Sequence, residues 1–261
     1  MAPCPRFQLI PSGAAMYDFE WHKSHGRQTS RSAEIVIALL RAFHDPTSVL
    51  DVGCGDGRWL AGFPAGTDIV GLDGPWTDQS RLLIPTESFR VADLESRLDL
   101  GRHFDLAVSL EVAEHVGAEC ARQFVDNLTR HADIVLFGAA IPYQGGFRHI
   151  NERWQSYWAG LFDAQGYQLF DPFRGQIWDL PEVSFWYKQN MLLYVRRSRG
   201  ELIDRVQTYI REQRVNQLPV DIVHPERYEA IASYDQIAFK PLLRRLPART
   251  LGKAYSLLRR G

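Results

Sequence analysis

Lysine is nearly missing from this chain: four lysines stand against 26 arginines among 261 residues. Charge of one sign is missing too, since 31 Asp and Glu balance 30 Lys and Arg to a formal net charge of −1. No global field therefore draws the protein to nucleic acid or to a membrane. Cysteine is scarce, and Cys4, Cys54 and Cys120 have no partners at metal-ligand spacing. Such an odd, scattered set argues against a disulfide framework. The longest apolar run near the front, IVIALL at 35–40, is far too short to span a bilayer. The opening MAPCPRFQLIPSG has neither the basic end nor the apolar stretch of a signal peptide. These absences lead to the expectation of a soluble, cytoplasmic protein with no transmembrane segment and no low-complexity array.

What is present reads as alternation. SVLDV (48–52), DIVGLD (68–73), FRVAD (89–93), FDLAVSL (104–110) and DIVLFGAAI (133–141) are short apolar runs of strand type. Helical patterns separate most of them, as in AECARQFVDNLTRHA at 118–132. SAEIVIALLRAF (32–43) reads as an amphipathic helix capped by Ser32 and stopped at Asp45-Pro46. YQLFD (167–171) and NMLLYVRR (190–197) read as two closing strands. Strand alternating with helix predicts an α/β fold, a mostly parallel seven-stranded sheet with helices on both faces. Trp154, Tyr157, Trp158, Leu161 and Phe162 repeat at helical spacing and read as core packing. After residue 198 the character changes: ELIDRVQTYIREQ is an extra helix, and 240–261 carries seven Lys or Arg and no acid. The expected organisation is therefore a main domain over 1–198 with an N-terminal helical cap, and a basic helical extension over 199–261. That extension reads as a solvated face, or more sharply as a weak membrane-surface contact.

VLDVGCGDGRW (49–59) is strand, glycine turn and helix, with Gly53, Gly55 and Gly57 in G-x-G-x-G spacing. A dinucleotide fingerprint wants its third glycine at position 58, which is Arg58. The loop also lacks the Lys-Ser/Thr of a phosphate-binding loop. It resembles instead the first motif of class I S-adenosylmethionine-dependent methyltransferases, whose fold is Rossmann-like. The resemblance covers at least residues 45–196. It implies that the three glycines let the backbone approach the methionine part of the cofactor while Asp51 orients its ammonium. It implies further that Asp73, followed by Gly74, takes the ribose hydroxyls, and that Asp93 and Leu94 in VADL reach the adenine. A zwitterion with a sulfonium needs carboxylate and carbonyl partners rather than a phosphate cradle. Alone, each Asp reads as a turn or cap residue.

SLEVAEHV (109–116) follows the fourth strand. On a helical turn Glu111, Glu114 and His115 are i, i+3 and i+4 and share one face. One reading leaves Glu111 facing the cofactor and Glu114 favoured in a first helical turn by the helix dipole. The other is a metal site. Glu-x-x-Glu-His resembles the divalent-ion motif of small-RNA 3′-terminal 2′-O-methyltransferases and of ubiquinone-pathway O-methyltransferases. The former complete their site with a later histidine, matched here by His149 in FRHINERWQSYW (147–158). The implied set is Glu111, Glu114, His115 and His149 around one Mn, Fe, Co, Ni, Zn or Mg ion, a mixed N/O set that suits the transition metals best. Without a metal, His149 or His115 is the candidate general base.

FRHINERWQSYWAGLF, IWDLPEVSFWYKQNMLLYV (177–195) and DIVHPERY (221–228) also resemble methyltransferases of glycan and natural-product clusters. The expected activity is O-methylation of a small hydroxylated acceptor: a sugar, glycoside or secondary metabolite. Aromatics of the 172–190 insert (Phe173, Trp178, Phe185, Trp186, Tyr187) either wall its pocket or fill the core. The alternatives are small-RNA 2′-O-methylation, disfavoured by the near-neutral charge, and a cofactor-binding scaffold without chemistry.

Overall fold

The computed structural model describes the backbone of residues 19–232 and the side chains of 26–232. The basic run at 240–261 and its membrane reading lie outside the described residues. Seven strands form one sheet: β1 (Ser48–Val52), β2 (Asp68–Asp73), β3 (Phe89–Val91), β4 (Leu106–Leu110), β5 (Ile134–Gly138), β6 (Tyr167–Phe170) and β7 (Leu192–Arg196). Their order is β3-β2-β1-β4-β5-β7-β6. All pairs are parallel except those of β7, which runs antiparallel to both β5 and β6. The helices are α1 (Phe19–Arg41), α2 (Arg58–Ala61), α3 (Ala121–His131), α4 (Gln155–Ala164), α5 (Arg174–Ile177), α6 (Phe185–Asn190), α7 (Gly200–Glu212) and α8 (Pro225–Ala232).

Strand side chains alternate between two cores, one on each face, because successive residues of a strand point to opposite sides. Ile134, Leu136, Leu193 and Val195 join the core that holds Ala33, Val36 and Leu40 of α1 and Val206 of α7. Val135, Phe137, Leu192 and Tyr194 join the core that holds Phe124 and Leu128 of α3 and Trp158 and Phe162 of α4. A sheet buried on both faces needs the near-continuous apolar runs seen in β4 and β5. Of the aromatic stripe, Trp158 and Phe162 are core, as expected, while Trp154 stays exposed.

Two expectations need correction. Ser32 is no cap: α1 begins thirteen residues earlier at Phe19. The Ser32 hydroxyl instead donates to the Gln28 carbonyl at 2.8 Å and accepts from the Ser184 N–H at 3.1 Å, inside the protein. The compact unit does not stop at 198 but runs to Ile222, with a second unit beginning at Val223. Leu202, Val206 and Tyr209 of α7 are buried in the first core, and the Tyr209 ring lies 4.8 Å from that of Phe43. Cys54 is a buried free thiol.

The carboxyl ends of β1, β2, β3 and β4 all open on one edge. There the strand order reverses between β1 and β4, which is where open α/β sheets bind ligands.

Candidate active site

Gly53 opens the loop after β1 with φ at 88°, and a Cβ there would overlap the Val112 side chain. No other residue type fits both the angle and the space. Gly57 caps α2 in the left-handed region, and a Cβ there would press on Ile84. Gly55 differs: a Cβ would meet nothing within 4 Å, so the loop leaves an open cradle before it. Arg58 does not face that cradle. It pairs with Asp56 at 2.8 Å and packs under Gly26 of α1, tying helix to loop.

Asp51 stands near the end of β1, opposite Gly71, and Asp73 ends β2 two residues further on; both are buried. Burial first, and then the charge of Asp73, push Asp51 up to about 8. Asp73 is raised by burial while the Gly55 and Gly74 N–H groups, donating to its two oxygens at 2.7 and 2.6 Å, pull it back. Two desolvated carboxylates beside an open glycine cradle suit a cationic ligand, so these residues fit S-adenosylmethionine. Asp93 is exposed and closes a turn, accepting from the Glu95 N–H at 3.1 Å and the Ser96 hydroxyl at 2.7 Å. Leu94 beside it is buried in the second core.

The segment after β4 is not the helical turn expected. Glu111 sits at φ 58°, an uncommon angle for a residue with a side chain, and Ala113–His115 form only a single tight turn. Glu111 therefore leaves the face shared by Glu114 and His115. Its two oxygens accept from the Asn190 and Gln144 side-chain amides at 2.8 and 2.7 Å. Burial still raises it to about 7 against those bonds.

Glu114 is fully buried, and neither of its carboxylate oxygens has a hydrogen-bond partner. Its own N–H and that of Ala140 temper the charge without making a bond of ordinary geometry. Burial, followed by the charge of Glu111, holds it well above the usual carboxylate range. One ligand atom each from Glu114, His115 and His149 lies within 4.8 Å of the others. His149 Nε2 stands 3.9 Å from Glu114 Oε1, and the two imidazoles meet edge to face at 4.9 Å. His115 is pushed down to about 4, first by burial and then by His149, so it is neutral at ordinary pH. A desolvated, unpartnered carboxylate beside neutral imidazole nitrogen fits a divalent ion of borderline softness. Glu111, expected as a fourth ligand, is outside this group because its oxygens are taken by amides.

Sequence reasoning missed Gln144, Asn190 and Glu152. Glu152 accepts from His149 Nδ1 at 2.9 Å, and its position three residues after His149 was the available signal. Of the insert aromatics, Phe173 and Tyr187 are core, the latter accepting a bond from the Trp59 indole, while Trp178, Phe185 and Trp186 are half-buried. Two surface clefts, of about 380 and 610 Å³, lie away from Asp51, Glu114 and His149. They are lined by apolar and mixed-charge side chains without any convergent catalytic group.

A model of the methyltransferase domain family matches residues 25–173. No curated protein matches the chain. Among solved structures the chain is similar to the sugar N-methyltransferase KedS8 from Streptoalloteichus, at 17% identity and TM-score 0.52 over 74% of this chain and 99% of that one. It is similar to DesVI from Streptomyces venezuelae at 16% and 0.51, over 68% and 95%. The amino pentose methyltransferase CalS10 from Micromonospora echinaspora gives 16% and 0.50, over 71% and 100%. At such identities the likeness speaks for the fold.

Proposed function

The chain belongs to the methyltransferase domain family of S-adenosylmethionine-dependent enzymes, and on that premise we propose that it O-methylates a small hydroxylated acceptor with the help of one divalent ion. The acceptor class is a sugar, glycoside or secondary metabolite. One observation carries the reading: a fully buried Glu114 carboxylate without partners, flanked by His115 and His149, at the sheet edge that also carries the glycine cradle. Ionising a buried carboxylate that has no hydrogen-bond partner is costly, and a bound cation would offset that cost and stabilise its charged form.

When bound, S-adenosylmethionine supplies the methyl group and a divalent ion supplies Lewis acidity to an acceptor hydroxyl. Asp51 and Asp73 would hold the positive end of the cofactor and its ribose. Glu114, His115 and His149 would hold the ion. Glu111, whose two oxygens are held by the Asn190 and Gln144 amides, stays outside that ligand set. With Glu114, His115 and His149 as its protein ligands, such an ion would be able to hold acceptor oxygens and so orient one hydroxyl for methyl transfer. An amine acceptor gains little from such a set, because a neutral amine is already nucleophilic.

The test is turnover of a panel of polyols, glycosides, amino sugars and a small RNA with a free 3′ end, with and without chelator. Methylation of hydroxylated small molecules, abolished by chelator and restored by Mn²⁺, supports the reading. Exclusive methylation of the RNA or of the amino sugars overturns the acceptor class. Full activity in excess chelator overturns the ion.

A further inference from the structure

Resting on the reading that His149 acts at this site, we propose that Glu152 is its positioning residue: it fixes the His149 tautomer and presents the Nε2 lone pair to Glu114. Glu152 Oε1 lies 2.9 Å from His149 Nδ1. A carboxylate oxygen accepts in such a bond, so Nδ1 is the ring nitrogen that carries the donated proton. At 3.9 Å, His149 Nε2 is beyond hydrogen-bond reach of Glu114 Oε1. The lone pair on Nε2 is therefore unspent and faces the buried carboxylate.

The same side chain holds the loop in shape. Glu152 Oε1 also accepts from the Gly145 N–H at 2.7 Å, and Oε2 accepts from the Tyr143 N–H at 2.8 Å. Tyr143, Gly145 and Arg148 all stand in the left-handed region, at φ 68°, 67° and 59°. For Tyr143 and Arg148 that conformation costs energy and persists only where surrounding contacts hold it. The Ile150 and Asn151 N–H groups both donate to the Glu114 carbonyl, at 2.9 and 3.0 Å, stitching the loop to the Glu114 turn. Gly146 makes room for the ring, since a Cβ there would overlap His149.

The loop treats the second imidazole alike. His115 Nδ1 lies 3.3 Å from the Arg148 carbonyl, which can only accept. Its proton too belongs on Nδ1. One strained loop thus engages Nδ1 of both rings, leaves Nε2 of each without that bond, and is closed by Glu152. Carboxylate partners of this kind orient and strengthen ligating histidines.

The deciding measurement is long-range ¹H–¹⁵N NMR of metal-free protein labelled at histidine nitrogen, near neutral pH, with the His149 signals assigned from the spectrum of His149→Ala. Wild-type His149 should show a protonated Nδ1 and an unprotonated Nε2. Glu152→Ala should move His149 toward the Nε2–H tautomer that free neutral histidine favours, and weaken Mn²⁺ binding about 10–100-fold. An Nε2–H tautomer or an imidazolium in the wild type overturns the proposal. So does an unchanged tautomer in a folded Glu152→Ala protein. Should that variant not fold, the wild-type spectrum still decides: a downfield, exchange-protected Nδ1 proton supports the bond to Glu152, and its absence overturns it. A His149→Ala protein that binds Mn²⁺ with full affinity would instead sink the reading of the site, leaving the tautomer assignment standing.

Discussion

Glu111 and Glu114 part company within a single turn: Glu111 is bound at both oxygens by Asn190 and Gln144, while Glu114 is fully buried with both oxygens unpartnered. The cause is the left-handed backbone of Glu111, which turns it off the face that a regular helix would have shared. The two carboxylates should therefore respond differently to the same change.

Glu114→Gln, His115→Ala and His149→Ala should each cut Mn²⁺ affinity and turnover by on the order of 100-fold or more, with cofactor affinity nearly kept. Glu111→Gln should leave Mn²⁺ affinity within a few-fold, because Glu111 lies outside the ligand cluster. Elemental analysis and calorimetry read both. Equal losses from Glu111→Gln and Glu114→Gln would contradict the division of roles.

S-adenosylmethionine should bind and NAD should not, since Arg58 fills the place of the third dinucleotide glycine. Asp73→Ala should weaken cofactor binding by roughly 1.5–3 kcal/mol for each charge-assisted bond lost. Calorimetry showing NAD tighter than S-adenosylmethionine would overturn this.

Stability of the ligand-free protein should fall as pH rises. Burial raises Asp51 from 3.8 to about 8 and Glu111 from 4.5 to about 7. Groups raised in the folded state give stability that is fully present below their unfolded values, and it is lost as pH climbs through the folded ones. A cationic ligand prefers the ionised carboxylate, so the rise in Tm given by S-adenosylmethionine should grow between about pH 5 and pH 8. Melting curves with a ligand shift that shrinks as pH rises would refute it.

Gly53→Ala should destabilise the protein by about 1–3 kcal/mol and abolish cofactor binding, because it forces a side chain into φ 88° and into Val112. Gly55→Ala at φ 55° also carries strain, yet it meets no protein atom. Its loss should fall more on cofactor affinity than on Tm. Denaturant melts beside calorimetry separate the two.

The sheet was legible in the chain because its signals are local. Short, near-continuous apolar runs mark β1, β2, β4 and β5, and burial of both faces of the sheet follows from them. The cofactor loop was legible for the same reason: three glycines and an acid within seven residues can be read without knowing what lies opposite. The start of α1 was not, since the apolar pattern shows where a helix is buried and not how far its solvent-facing turns extend. Nor was the place of Ser32, whose partner Ser184 is 152 residues away.

By itself the sequence determined the fold, the family and the residue types at the sheet edge. Only the tertiary structure decided which carboxylate stays unpartnered. That choice turns on one residue held at φ 58°, on amides brought from α6 and from the loop after β5, and on a loop closed by Glu152. Backbone excursions into the left-handed region by residues with side chains are stabilised by distant contacts and not by local preference, so no spacing rule could have announced them.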